Sequence, residues 1–105
     1  MDPQNIDLLI VDDDPEFRST VTRRFLRRGF CVQEATSAEE ALGLMERRRF
    51  DVALVDLIMP GMDGVELLKR IRAGSPECEV VMLTGQGTVA PAGVAVKAGA
   101  DDYLT

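Results

Sequence analysis

Three consecutive aspartates, Asp12, Asp13 and Asp14, follow the apolar run LLIV at residues 8–11, and a fourth, Asp56, follows VALV at residues 52–55. A third apolar run, VVML at residues 80–83, leads into the hydroxyl of Thr84. Carboxylates this dense repel one another, by up to ~4 kcal/mol for two unit charges 4 Å apart at an effective dielectric near 20. A cation among them offsets that cost, and oxygen-only ligands suit a hard divalent ion. Mg2+ keeps several waters and takes one or two protein carboxylates, which fits an open rim better than a calcium cage does. The DxDxDG spacing of a calcium loop is absent. A carboxylate beside such an ion can also act as a nucleophile on phosphorus, giving an aspartyl phosphate. Catalysis of that transfer is mostly positioning and electrostatics.

Composition narrows the chemistry further. The 105 residues include no histidine, which excludes His-based acid–base catalysis, His metal sites and a phosphohistidine on this chain. Carboxylates, hydroxyls and lysine remain. With 18 acidic and 12 basic residues the net charge is −6, which argues against direct nucleic-acid binding and against an anionic membrane as partner. No apolar run approaches the ~18 residues of a membrane span, and residues 1–5 read as neither a signal nor a transit peptide, so the cytoplasm is the expected compartment. Cys31 and Cys78 stand apart with no CxxC, and both are expected as small buried hydrophobes.

The elements that must position these groups follow from periodicity. Residues 6–11, 31–35, 51–56, 79–84 and 101–104 read as strands, the Val/Leu/Ile-rich ones buried on both faces as parallel strands are. Helical patterns lie between them. In residues 15–28 Phe17, Val21 and Phe25 form an apolar stripe, Arg23, Arg24, Arg27 and Arg28 supply an outer face, and Gly29 ends the helix. Asp14 precedes Pro15 and Glu16 and reads as an N-cap with proline in the first turn. Ser37 to Glu40 form a capping box for a helix to about residue 48, with Ala38, Ala41, Leu42 and Met45 inward. Another helix covers 64–72, and a weaker one, carrying Pro91 and Gly93, covers about 88–98. Arg47, Arg48 and Arg49 read as a solvated helix end. The order βαβαβαβαβ means one domain, with right-handed crossovers and a mostly parallel sheet covered by helices on both faces. Ligands of such sheets bind beyond the carboxyl ends of the strands, where Asp12, Asp13, Asp56 and Thr84 all fall.

Four blocks of sequence, LLIVDDD (8–14), VALVDLIMPGMDG (52–64), VVMLTG (80–85) and GADDYL (99–104), closely resemble the receiver domains of bacterial two-component response regulators, the CheY-like superfamily. The resemblance covers essentially the whole chain in the right order. It implies a doubly wound five-stranded parallel sheet of order 2-1-3-4-5, flavodoxin-like. It further implies that Asp56 accepts a phosphoryl group from a histidine kinase or phosphotransfer protein. Asp12 and Asp13 match the acids that hold Mg2+, or Mn2+ in its place, together with Asp56 and the main-chain carbonyl of Ile58. Thr84 matches the hydroxyl that contacts the phosphoryl group, and Tyr103 the aromatic that moves with it. Ile58 and Gln86 fall at positions that tune dephosphorylation. The implied protein is a signalling domain rather than an enzyme, with self-phosphorylation and autodephosphorylation chemistry of its own. A homodimer and a covalently attached output domain are both compatible with it.

In the family a lysine follows the last strand, usually with a proline and then a fifth helix. The sequence ends at Thr105, where that lysine would come next, and Lys97 lies on the preceding helical segment and does not match. The expectation is a receiver domain over residues 1–105, cut before that lysine and the last helix, with the native chain continuing. The implied strand order also separates strands two and four by three spacings, about 14 Å at ~4.8 Å each. Disulfide Cα atoms lie under about 7 Å apart, so Cys31 and Cys78 are expected as thiols. The alternative function is a receiver-like interaction module that takes no phosphate. A Mg2+ phosphatase is disfavoured, because Pro15-Glu16 replaces the usual continuation after Asp12-x-Asp14.

Overall fold

The computed structural model describes residues 6–56, 64–83 and 102–104. In chain order these form β1 (Asp7–Val11), α1 (Pro15–Arg27), β2 (Cys31–Ala35), α2 (Ala38–Arg47), β3 (Val52–Asp56), α3 (Gly64–Gly74), β4 (Glu79–Leu83) and β5 (Asp102–Leu104). The strands make one sheet in the order β2-β1-β3-β4-β5, every neighbouring pair parallel. This is the expected architecture. The helix expected at 88–98 lies outside the described residues, and α3 runs to Gly74, past the expected end at 72.

Alternation along the central strands divides the core between the two faces, because successive side chains of a strand point to opposite sides. Leu9, Val11, Ala53, Val55, Val80 and Met82 pack with Leu67, Leu68 and Ile71 of α3 and Ala38 and Ala41 of α2. Leu8, Ile10 and Leu54 face the other way, toward Val21 and Phe25 of α1 and toward Phe30 and Val32. Strand β1 is thus buried on both sides, from Leu8 to Val11. Full burial of one such side chain is worth about 1.5–3 kcal/mol, so β1 is firmly held beneath the rim.

Local signals set the helix ends. Asp14 Oδ1 accepts hydrogen bonds from the amides of Glu16 (3.0 Å) and Phe17 (3.3 Å), with Pro15 opening α1. At its far end Gly29 adopts φ 91°, a left-handed conformation that costs glycine little. Ser37 Oγ caps α2 by accepting from the Glu40 amide at 3.1 Å, and Glu40 accepts in return from the Thr36 amide at 3.1 Å. The reciprocal bond therefore reaches one residue further back than an ideal capping box.

Three expectations are corrected. Phe17 is exposed (45%), and the inward stripe of α1 runs instead through Arg18, Val21, Thr22 and Phe25, rotated by one position at the helix start. Cys31 is also exposed, whereas Cys78 is buried, and neither is in a disulfide. Cys31 shares a face of the edge strand β2 with Ala35, but only the Ala35 end is packed into the cluster with Ala38 and Ala41. Arg48 is not merely solvated. Its Nη2 lies 2.7 Å from Asp7 Oδ1, and its guanidinium sits 5.2 Å from the Phe50 ring centroid, at the amino ends of the strands and away from the rim.

Candidate functional site

Parallel register brings the first and third strand ends level. Leu8 to Val11 pair in order with Val52 to Val55, so Asp12 and Asp56 each stand one residue beyond the last pair. Asp12 is only 4% exposed. Its amide donates to the carbonyl of Ala35 at 3.1 Å, which ties the strand end to β2. Its Oδ1 accepts from the amide of Asp14 at 2.9 Å, closing a tight turn over Asp13. Asp13 is exposed and Asp56 half-buried, and carboxylate oxygens of Asp12, Asp13 and Asp56 all lie within 4.8 Å of one another.

That arrangement strains the charge on Asp12. Burial pushes its carboxyl above the ordinary carboxylate value, and the charges of Asp13 and Asp14 push it further. The Asp14 amide and the Arg18 guanidinium pull the other way without cancelling the rise. A raised value in the fold means that ionising Asp12 costs stability unless a cation shares the site. Hard divalent ions bond oxygen at about 2.0–2.6 Å, so two oxygens on opposite sides of one ion lie about 4–5 Å apart and neighbouring ones closer. The three carboxylates fit such an ion.

Arg18 is the residue that sequence reasoning missed. Its Nη1 donates to the main-chain carbonyl of Asp12 at 2.8 Å and its Nε to Glu34 Oε1 at 2.9 Å. The available signal was helical spacing, since position 18 lies three, four and seven residues before Val21, Thr22 and Phe25. An arginine on that inward stripe must find acceptors.

Among the residues singled out from sequence, the fold therefore brings Asp12, Asp13 and Asp56 together and gives Asp14 to the cap. Ile58, Thr84 and Gln86 lie outside the described residues. Tyr103 occupies a β5 backbone position opposite Met82, and its side chain is likewise outside them. Among the described residues no helix is long and apolar enough to cross a membrane.

Doubly wound topology, strand order and an acidic rim at this place match those expected of a receiver domain. The sequence profile of the response regulator receiver domain matches residues 8–105, and the chain belongs to that family. It is 38% identical over 98 residues to the photosynthetic apparatus regulatory protein RegA of Cereibacter sphaeroides, covering 93% of this chain and 53% of RegA. The chain thus spans about half the length of that curated relative. The receiver domain of the Francisella response regulator 1452 superposes with a TM-score of 0.87 at 32% identity, over 96% of this chain and 84% of that one. A response regulator from Burkholderia pseudomallei, solved with a phosphorylated aspartic acid, a calcium ion and citrate, superposes with a TM-score of 0.88 at 35% identity. That match covers 95% of this chain and 59% of the other.

Proposed function

We propose that the chain is the phosphoacceptor of a two-component system, taking a phosphoryl group onto Asp56 from a sensor histidine kinase or phosphotransfer protein. The observation that carries this reading is the convergence of the Asp12, Asp13 and Asp56 carboxylates within 4.8 Å at the carboxyl edge of the sheet. The Burkholderia relative, solved with a phosphorylated aspartic acid and a calcium ion, supports it by likeness. Asp12, Asp13, Asp56 and the main-chain carbonyl of Ile58 would hold Mg2+ or Mn2+. When bound, the ion neutralises oxygens of the phosphoryl group as it transfers.

This chain's own residues supply the rest. The Asp56 carboxylate attacks phosphorus in line with the donor nitrogen. A P–O bond forms as the P–N bond breaks, and the electron pair returns to the nitrogen of a donor ring already protonated on its other nitrogen, which leaves as neutral imidazole, so no proton is needed from this chain. These 105 residues include no histidine, so none of them supplies that imidazole. Thr84, the residue after β4, donates its hydroxyl to a phosphoryl oxygen, and Tyr103 follows that hydroxyl to alter the output surface. Ile58 and Gln86 set how readily water reaches the phosphoryl group. Beryllofluoride with Mg2+ tests the reading. It should shift backbone amide resonances around residues 12–14 and 56 in the wild type and not in Asp56→Asn. An identical spectrum with and without the mimic in the wild type would instead favour an interaction module that takes no phosphate.

A further inference from the structure

The geometry points to Arg18 as a positioning residue for the Asp12–Asp13 turn, clamping the main-chain carbonyl of Asp12 to the carboxylate of Glu34 on β2. Its role in cation binding rests on the cation site proposed above; the clamp itself does not. The side chain is 15% exposed and engages two elements through two different N–H groups, Nη1 to Asp12 O at 2.8 Å and Nε to Glu34 Oε1 at 2.9 Å. Asp12 is therefore tied to β2 through both main-chain groups, its amide directly to Ala35 O and its carbonyl through Arg18 and Glu34. Groups that fix a ligand's orientation govern metal sites nearly as much as the ligands do. A guanidinium fork spans two acceptors in a way that an ammonium does not.

Arg18 also brings positive charge close to a site for a cation, and the two effects oppose each other. Acting only as a charge, it would repel the ion, and removing it would tighten binding. Glu34 offsets that charge at 2.9 Å, and the guanidinium meets Asp12 at its main-chain carbonyl rather than at its carboxylate. The positioning effect dominates.

Two readouts on wild type, Arg18→Met and Arg18→Lys decide it. The first is hydrogen exchange of the Asp14 amide in the metal-free proteins, with the β3 amides as a control for global opening. The second is Mn2+ affinity, from the paramagnetic resonance signal of free Mn2+. Both variants should speed exchange at Asp14 while leaving β3 protected, and both should weaken Mn2+ binding about tenfold, the low end for loss of an outer partner of a metal ligand. Unchanged Asp14 exchange in both variants would overturn the clamp, as would tighter Mn2+ binding in Arg18→Met with wild-type affinity in Arg18→Lys. Failure of the wild type itself to bind Mn2+ would overturn the cation site, while the exchange readout would still decide the clamp.

Discussion

Asp12 and Asp56 stand level with each other one residue past the paired Val11 and Val55, and their carboxylates come within 4.8 Å. Parallel pairing produces this juxtaposition without any long loop. Each strand buries its apolar run and then releases an acid at the same edge. The neighbouring pair Asp56 and Leu83 extends the same register into β4, with Thr84 next in the chain.

Asp12 is held in the fold at an electrostatic cost, so neutralising it should stabilise the metal-free protein. Asp12→Asn keeps an Oδ1 acceptor for the Asp14 amide and removes the charge. The expected result is a higher Tm for the variant than for the wild type in the absence of metal. The sign in pH follows from the raised folded value. The wild-type carboxyl favours the fold most below the ordinary carboxylate range, and that contribution is lost as pH rises through the raised value. Thermal melts should therefore show the advantage of Asp12→Asn growing from acid toward neutral pH, and Mg2+ should raise the Tm of the wild type more than that of the variant.

Asp14 belongs to the helix and not to the acid cluster. Asp14→Ala removes the acceptor for the Glu16 and Phe17 amides and should cost about 0.5–2 kcal/mol in denaturant unfolding. Its main-chain amide still donates to Asp12, so Mn2+ affinity should stay at the wild-type value. A large fall in affinity would place Asp14 among the ligands instead.

The rim depends on β1 being rigid. Leu9 is fully buried within the larger cluster, and Leu9→Ala should cost about 2–5 kcal/mol through lost contacts and the cavity left behind. Urea unfolding monitored by circular dichroism measures it. A loss well under 1 kcal/mol would mean that the packing described for β1 is not formed in solution.

Much of this was legible in the residues. The Val/Leu/Ile runs of β1, β3 and β4 announce strands buried on both faces, and Asp14-Pro15 announces a helix start. Both signals are local, so both survive without knowledge of the fold. What escaped depends mostly on placement in the fold. Phe17 and Arg18 both border the inward stripe of α1; spacing from Val21, Thr22 and Phe25 favours position 18, and Glu34 and the Asp12 carbonyl accept from its guanidinium. Cys31 is exposed because β2 lies at the sheet edge, a fact of strand order rather than of composition. Arg48 finds Asp7 across the amino ends of the strands, a pairing that no periodicity encodes. For the site, the three carboxylates converge as their positions suggested, whereas Ile58, Thr84 and Gln86 fall outside the described residues.

Locating the phosphoryl group tests the role of Asp56 directly. Wild type and Asp56→Asn are incubated with phosphoramidate, a small phosphoryl donor, and Mg2+, and then compared by intact mass and by peptide mapping after borohydride reduction of the acyl phosphate. One phosphoryl group per wild-type chain is expected, mapped to Asp56, dependent on Mg2+ and absent from Asp56→Asn. A wild-type chain that stays unmodified, or one modified to the same extent when Asp56 is replaced, would contradict it.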